Sequence, residues 1–131
     1  MRPSLLDTSV VIDLDQPGVA GALPDEGAIC AVTLAELTAG PALAKDPLEA
    51  SRRQFRLQQV EATFDPIPFD VGAARAFGQI VAAVNASGRS HRRRAVDLMI
   101  AAIAVAQGLD LVTRNPEDFS GLESMLVVHA I

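Results

Sequence analysis

Three carboxylates stand alone in apolar surroundings. Asp7 is the only charge between Arg2 and Asp13, Glu36 the only one between Glu26 and Lys45, and Asp97 the only one between Arg94 and Asp110. Burying a lone ionised carboxylate is costly unless something compensates it. Several carboxylates brought together repel one another, and a divalent cation resolves that repulsion. No Cys or His accompanies these acids, so the expected ion is hard: Mg²⁺, with Mn²⁺ able to substitute. A metal-assisted reaction is the chemistry this donor set suggests.

Each acid also has a local explanation. Asp7-Thr8-Ser9 could cap a following helix. Thr33-Leu34-Ala35-Glu36 fits the capping-box pattern. Asp97 near a helix start suits the macrodipole. Asn115-Pro116-Glu117-Asp118 reads as N-cap, N1 and an acidic first turn. Singly, caps are far commoner than metal sites; jointly, isolated acids at one end of a sheet are hard to explain as caps alone.

The elements that position these groups alternate. Leu5-Leu6 reads as a short buried strand, followed by a turn and a helix start that Gln16-Pro17-Gly18 breaks. Ala28–Ala31 is a second candidate strand and Thr33–Ala44 a helix, with Gly40-Pro41 as a break or kink. Pro47–Thr63 is rich in helix formers, and Asp65–Phe69 is an extended segment whose prolines place it at a sheet edge or end. Val71–Asn85 is a helix and Ser87–Arg94 a polar, basic loop. Ala95–Gln107 is an almost wholly apolar, hence buried, helix, with Gly108 as its cap. Leu109–Thr113 and Met125–His129 complete the strands. The alternation predicts an α/β fold, a three-layer α/β/α sandwich on a mostly parallel central sheet. Ligands bind such sheets outside the carboxyl ends of the strands, where Asp7, Glu36 and Asn115 to Asp118 fall; Asp97 lies in the first turns of the buried helix.

The bulk properties fit. The 131 residues suit one domain, residues 1–131, with half of them hydrophobic and 21% charged. The net charge of −5 argues against a surface that is one polyanion-binding field, but not against a local basic patch. The single cysteine, Cys30, excludes an internal disulfide and a cysteine-based zinc site and reads as a small core residue. The N-terminus lacks a signal-like apolar stretch, and the longest apolar run, Ala95–Ala106, contains Asp97 and falls short of the roughly 20 residues that span a bilayer. A cytoplasmic location without membrane attachment is expected.

The motifs, in order, resemble the PIN domain. Leu5-Leu6-Asp7-Thr8-Ser9-Val10-Val11-Ile12-Asp13 is similar to its opening motif, Val32-Thr33-Leu34-Ala35-Glu36-Leu37 to its second, Ala95-Val96-Asp97-Leu98-Met99-Ile100-Ala101-Ala102 to its third, and Leu111-Val112-Thr113-Arg114-Asn115-Pro116-Glu117-Asp118-Phe119 to its fourth. Length and motif wording are similar to the VapC toxins of bacterial toxin–antitoxin pairs. The resemblance implies an Mg²⁺-dependent endoribonuclease, restrained by a VapB-type antitoxin, acting on structured RNA such as tRNA or rRNA, and forming a homodimer. It implies Asp7 and Asp97 as principal metal ligands and Glu36 as a third acid. The fourth corner, where the family often has Thr-x-Asp, reads Thr113-Arg114-Asn115; either Asn115 through its amide oxygen or Asp118 through its charge fills it. Thr8, Ser9 and Thr113 are supporting hydroxyls. The chemistry implied is phosphodiester hydrolysis, in which the ion polarises the phosphate and lowers the pKa of a bound water.

An acidic pocket repels RNA, so phosphate contacts must come from elsewhere. The segment before Asp97 supplies Arg89, Arg92, Arg93 and Arg94. Arg52, Arg53 and Arg56 read as an exposed helix face. With no Trp or Tyr and five Phe, recognition of RNA shape and backbone is favoured over base stacking. His91 and His129 read as surface and structural residues. Two rival readings remain. Asp13-Leu14-Asp15 faintly resembles an aspartyl-phosphate loop but lacks the expected Thr. A catalytically degenerate PIN-like module that binds RNA or protein is favoured only by Asn115.

Overall fold

The computed structural model describes residues 1–131. Four strands form one sheet: β1 (Ser4–Leu6), β2 (Gly27–Ala28), β3 (Asp110–Thr113) and β4 (Val128–Ala130). Their order is β2-β1-β3-β4, and every neighbouring pair is parallel. The helices are α1 (Thr8–Val11), α2 (Ala31–Ala39), α3 (Pro47–Thr63), α4 (Val71–Ala86) and α5 (Ala95–Gln107). No helix is long and apolar enough to cross a membrane.

The layering follows from strand periodicity, which sends successive side chains to opposite faces. Leu5 and Leu111 pack with Ile80 and Val84 of α4 and with Leu98 and Ile103 of α5. Leu6 and Val112, the next residues along, pack with Val10 and Val11 of α1, Leu37 of α2, and Leu57 and Val60 of α3. Two apolar layers thus sandwich the sheet. Helix α5 is buried along most of its length (Leu98, Ile100, Ala101, Ala102, Ile103 and Ala104). It ends at Gly108, whose φ of +67° needs the freedom of a residue without Cβ.

Several boundaries differ from the sequence reading. The second strand covers Gly27–Ala28 rather than Ala28–Ala31, because Cys30 already N-caps α2. Beyond it the extended segment pairs as anticipated: the Ile67 N–H donates to Ile29 O and the Ala31 N–H to Ile67 O, around a single bridge between Cys30 and Ile67. Helix α2 stops at Ala39 rather than Ala44; Gly40-Pro41 ends it, and Pro41–Leu43 forms a separate 3₁₀ turn. The last strand is Val128–Ala130 rather than Met125–His129, since the amides of Met125 and Leu126 are spent on Leu122 O in a turn. The basic loop is not irregular throughout: Arg92–Arg94 form a 3₁₀ turn running into α5.

Candidate active site

The sheet order places a topological switch between β1 and β3, the position where open parallel sheets bind ligands. Asp7 follows directly on β1 there, and Thr113 ends β3. The Asp7 N–H donates to Val112 O at 2.9 Å, which fixes its backbone to the neighbouring strand. Asp7 occupies the N-cap position of α1 but makes no side-chain cap bond. Asp46 and Asp70 behave as true caps, accepting from Glu49 N at 2.8 Å and Ala73 N at 2.9 Å. The Asp7 carboxylate instead accepts at Oδ2 from Ser9 Oγ (2.8 Å) and Thr113 Oγ1 (2.7 Å), and the residue is 4% exposed. Each hydroxyl has one proton and spends it on Asp7. Their other capacity accepts the amides of Arg114 (onto Ser9 Oγ, 3.0 Å) and Asn115 (onto Thr113 Oγ1, 3.0 Å). The 3.3 Å approach of Ser9 Oγ to Thr113 Oγ1 is then a contact with no proton left to share. The β3 exit loop and Asp7 are locked together, and both side-chain donors go to one oxygen.

Glu36 is oriented by a second set of hydroxyls. Thr8 Oγ1 donates to Glu36 Oε1 at 2.7 Å. Its single proton being used, the 2.9 Å bond between Thr8 and Thr33 must run from Thr33 Oγ1 to Thr8 Oγ1. The Cys30 thiol approaches Thr33 Oγ1 at 3.7 Å as the far donor. A directed chain, Cys30 to Thr33 to Thr8 to Glu36, therefore points its protons at the carboxylate. The capping-box reading of Thr33 and Glu36 fails: Thr33 lies inside α2, fully buried, and the cap position belongs to Cys30. Replacing Thr33 by Val should free Thr8 from its donor and lower stability by about 1 kcal/mol; a melt with an unchanged midpoint would show the chain to be unimportant.

Asp97 sits in the first turn of α5, half-buried. Burial and then the charges of Asp7, Asp118 and Glu36 push its carboxyl up from 3.8 to about 6, with Arg94 opposing them. Carboxylates from four separate segments thus bear on one another, as sequence reasoning anticipated for Asp7, Glu36 and Asp97. Neither histidine takes part; His129 Nε2 lies 2.9 Å from Asp110 Oδ2, and Asp110 is at the opposite end of β3 from Thr113. No three acidic, His or Cys side chains stand at coordinating range round one point. An all-oxygen donor set, with a carboxyl raised by burial and then by its anionic neighbours, fits a hard divalent cation.

The fourth corner is the 3₁₀ turn Pro116–Phe119, pinned by buried Phe119. Asn115 holds the N-cap position with Pro116 after it, as the sequence indicated, but its side chain makes no cap bond and its side-chain amide is uncommitted. Asp118 follows, with its charge felt at Asp97. Of the basic run, Arg92 and Arg93 are exposed and make no ion pair. Arg89 is exposed, with Nη1 3.4 Å from Glu117 O. Arg94 departs from the expected surface role: Nη1 donates to the main-chain oxygens of Asp118 and Glu117. The sequence reading grouped Arg56 with Arg52 and Arg53 as an exposed helix face, but Arg56 is half-buried and lines a 420 Å³ cavity together with Thr8, Glu36 and Arg53. Arg53 is spent on Glu49 (3.1 Å) and Gly40 O (2.9 Å), whereas Arg56 has no partner. No local sequence signal distinguishes Arg56 from its neighbours; only the docking of α3 beside α2 does. A larger cavity, 680 Å³, lies between α1 and α3, lined by Val11, Leu14, Phe55, Val60 and Phe64 and away from the converging acids.

Residues 4–123 match the family model of the PIN domain. The chain belongs to the PIN-domain family. It is 35% identical to Ribonuclease VapC5 of Mycobacterium tuberculosis, over 97% of this chain and 93% of that protein. It is 34% identical to Ribonuclease VapC8 of the same organism, over 76% of this chain and 88% of that one. Among solved structures, VapBC-5, a member of the VapBC family of toxin–antitoxin systems from M. tuberculosis, superposes with a TM-score of 0.83 at 34% identity, covering 100% of this chain and 98% of that one. FitAcB from Neisseria gonorrhoeae gives 0.78 at 28% identity, with 95% of each chain covered.

Proposed function

We propose that this chain is a divalent-metal-dependent endoribonuclease, the toxin half of a VapBC-type toxin–antitoxin pair. The observation that carries the reading is the convergence of Asp7, Glu36 and Asp118 on the raised carboxyl of Asp97, in a chain whose relatives are named ribonucleases over nearly its whole length. Ribonucleases of this family generally depend on a divalent metal; we infer Mg²⁺, with Mn²⁺ able to replace it. Asp7 and Asp97 would hold the ion, with Asp118 or the Asn115 amide at the fourth corner. Bound there, the ion supplies Lewis acidity toward the phosphate and a water of lowered pKa.

The chain's own residues do the rest. Ser9 and Thr113 hold Asp7 Oδ2, so the carboxylate meets its ligand already oriented. Thr8 holds Glu36 toward the same space, where it can position the ion or a water. Arg92, Arg93 and Arg56 offset the negative field that an RNA strand meets on approach. Replacing Arg92 and Arg93 together by Ala should weaken RNA binding and flatten the plot of log affinity against log salt by up to about 1.4 to 1.8, for single-stranded and duplex phosphates respectively. An unchanged slope would leave that turn without a role in binding.

A VapB-type antitoxin as partner is supported by the toxin–antitoxin complexes among the structural relatives. The open 680 Å³ groove beside Phe55, which is 62% exposed, offers apolar surface for a protein to cover. Homodimerisation, a single PIN domain spanning 1–131 and a bacterial cytoplasmic setting complete the proposal. The direct test is cleavage of structured RNA by the purified protein with Mg²⁺ or Mn²⁺. EDTA should stop it and added metal restore it. Cleavage that persists at full rate in EDTA would sink the mechanism.

A further inference from the structure

Four arginines precede Asp97, and one of them faces the wrong way for a substrate contact. Arg92 and Arg93 are exposed. Arg94, the N-cap residue of α5, reaches across to the fourth corner: its Nη1 donates to Asp118 O and, at 3.4 Å, to Glu117 O. Its Nη2 is buried and has no protein acceptor. A guanidinium withdrawn from water in this way is compensated by carbonyl oxygens and by nearby negative charge. The carbonyls belong to the turn that carries Asp118, and the negative charge is that of the acidic cluster.

We propose that Arg94 is a positioning residue, whose guanidinium clamps the Asn115–Phe119 turn to the start of α5 and so sets Asp118 beside Asp97. The inference rests on Asp118 being the fourth acid of the site proposed above. The turn has other anchors, buried Phe119 and the Ser120 hydroxyl donating to Glu117 O at 2.8 Å. Loss of Arg94 therefore loosens the aim of the turn without dismantling it. Lysine keeps the charge, but its shorter side chain lacks the flat guanidinium that carries Nη1 onto the Asp118 and Glu117 carbonyls with Nη2 packed beside it.

The test is a double-mutant cycle on the full chain with Mn²⁺ and a structured RNA, read as single-turnover cleavage. Arg94→Ala, Arg94→Lys and Asp118→Ala should each slow cleavage by about 10–100-fold, the usual range for groups that orient a metal site. Adding Arg94→Ala to Asp118→Ala should cost no more than about a further twofold, because both remove one device. If Arg94→Ala fails to fold by circular dichroism, the cycle is run with Arg94→Lys. Multiplicative losses, restoration of the rate by Lys, or a salt slope lowered by about 1 on losing Arg94 would overturn the inference while leaving the metal site standing. Full activity in Asp118→Ala would overturn both the fourth-acid reading and the positioning role.

Discussion

Asp97→Asn should sharply slow RNA cleavage and, in the metal-free protein, raise the thermal midpoint at neutral pH. The two effects share one cause. Asp97 is ionised at pH 7 only against burial and the charges of Asp7, Asp118 and Glu36, which raise its carboxyl from 3.8 to about 6. A carboxyl raised in the folded state binds its proton more tightly there than in the unfolded chain. Its contribution to stability is therefore full below pH 3.8, fades between 3.8 and about 6, and is gone above that window. Two pKa units correspond to about 3 kcal/mol, and because the side chain is only half-buried the usable part is about 1–2 kcal/mol. In a chain of this size that is a rise of roughly 3–8 °C in the metal-free midpoint at pH 7. Wild type and Asp97→Asn should converge near pH 3.5. Saturating Mg²⁺ should raise the wild-type midpoint and leave that of the variant nearly unmoved, and wild-type metal affinity should strengthen as pH rises through 6. Equal midpoints at pH 7, or a wild type more stable than the variant without metal, would show that Asp97 does not sit among like charges.

That the cluster could be anticipated from sequence at all has a physical reason. A buried apolar helix tolerates a carboxylate only where something outside the helix compensates it, so Asp97 in the run Ala95–Ala106 announces its role by its surroundings. The same logic exposed Asp7 and Glu36. Sheet layering was equally legible, because Leu5-Leu6 and Leu111-Val112 must serve opposite faces. What sequence could not resolve were features set by contacts distant along the chain. Thr33 has the spacing of a capping box, and only the approach of Thr8 from another segment diverts its hydroxyl into the chain that orients Glu36. Arg92, Arg93 and Arg94 are one charge run by composition. The turn at Asp118 separates them by taking Arg94 inward. Arg56 is indistinguishable from Arg52 and Arg53 until α3 is laid beside Glu36. Element ends moved by a few residues where a local breaker competed with a long-range partner, as at Cys30, whose neighbours pair with Ile67.

The largest loss of activity is expected from Asp7→Asn. Asparagine keeps the shape of the side chain, and its amide oxygen can still accept from Ser9 and Thr113, so the lock between Asp7 and the β3 exit survives. What disappears is the charge that holds a cation. If metal assistance contributes about 4 kcal/mol to the barrier, its removal slows cleavage by about a thousandfold. Expressed without a partner, the wild-type chain should arrest bacterial growth and the variant should not, at equal protein levels. Asp7→Ala is the poorer probe. It strands the Ser9 and Thr113 hydroxyls at a position only 4% exposed in the wild type, that of Asp7, which costs about 1–3 kcal/mol of stability, so loss of function there would mix misfolding with chemistry. The decisive comparison is Asp7→Asn with its midpoint intact and its cleavage gone. Cleavage within tenfold of wild type, or continued toxicity at matched expression, would remove Asp7 from the metal site and with it the reason for its isolation in an apolar stretch.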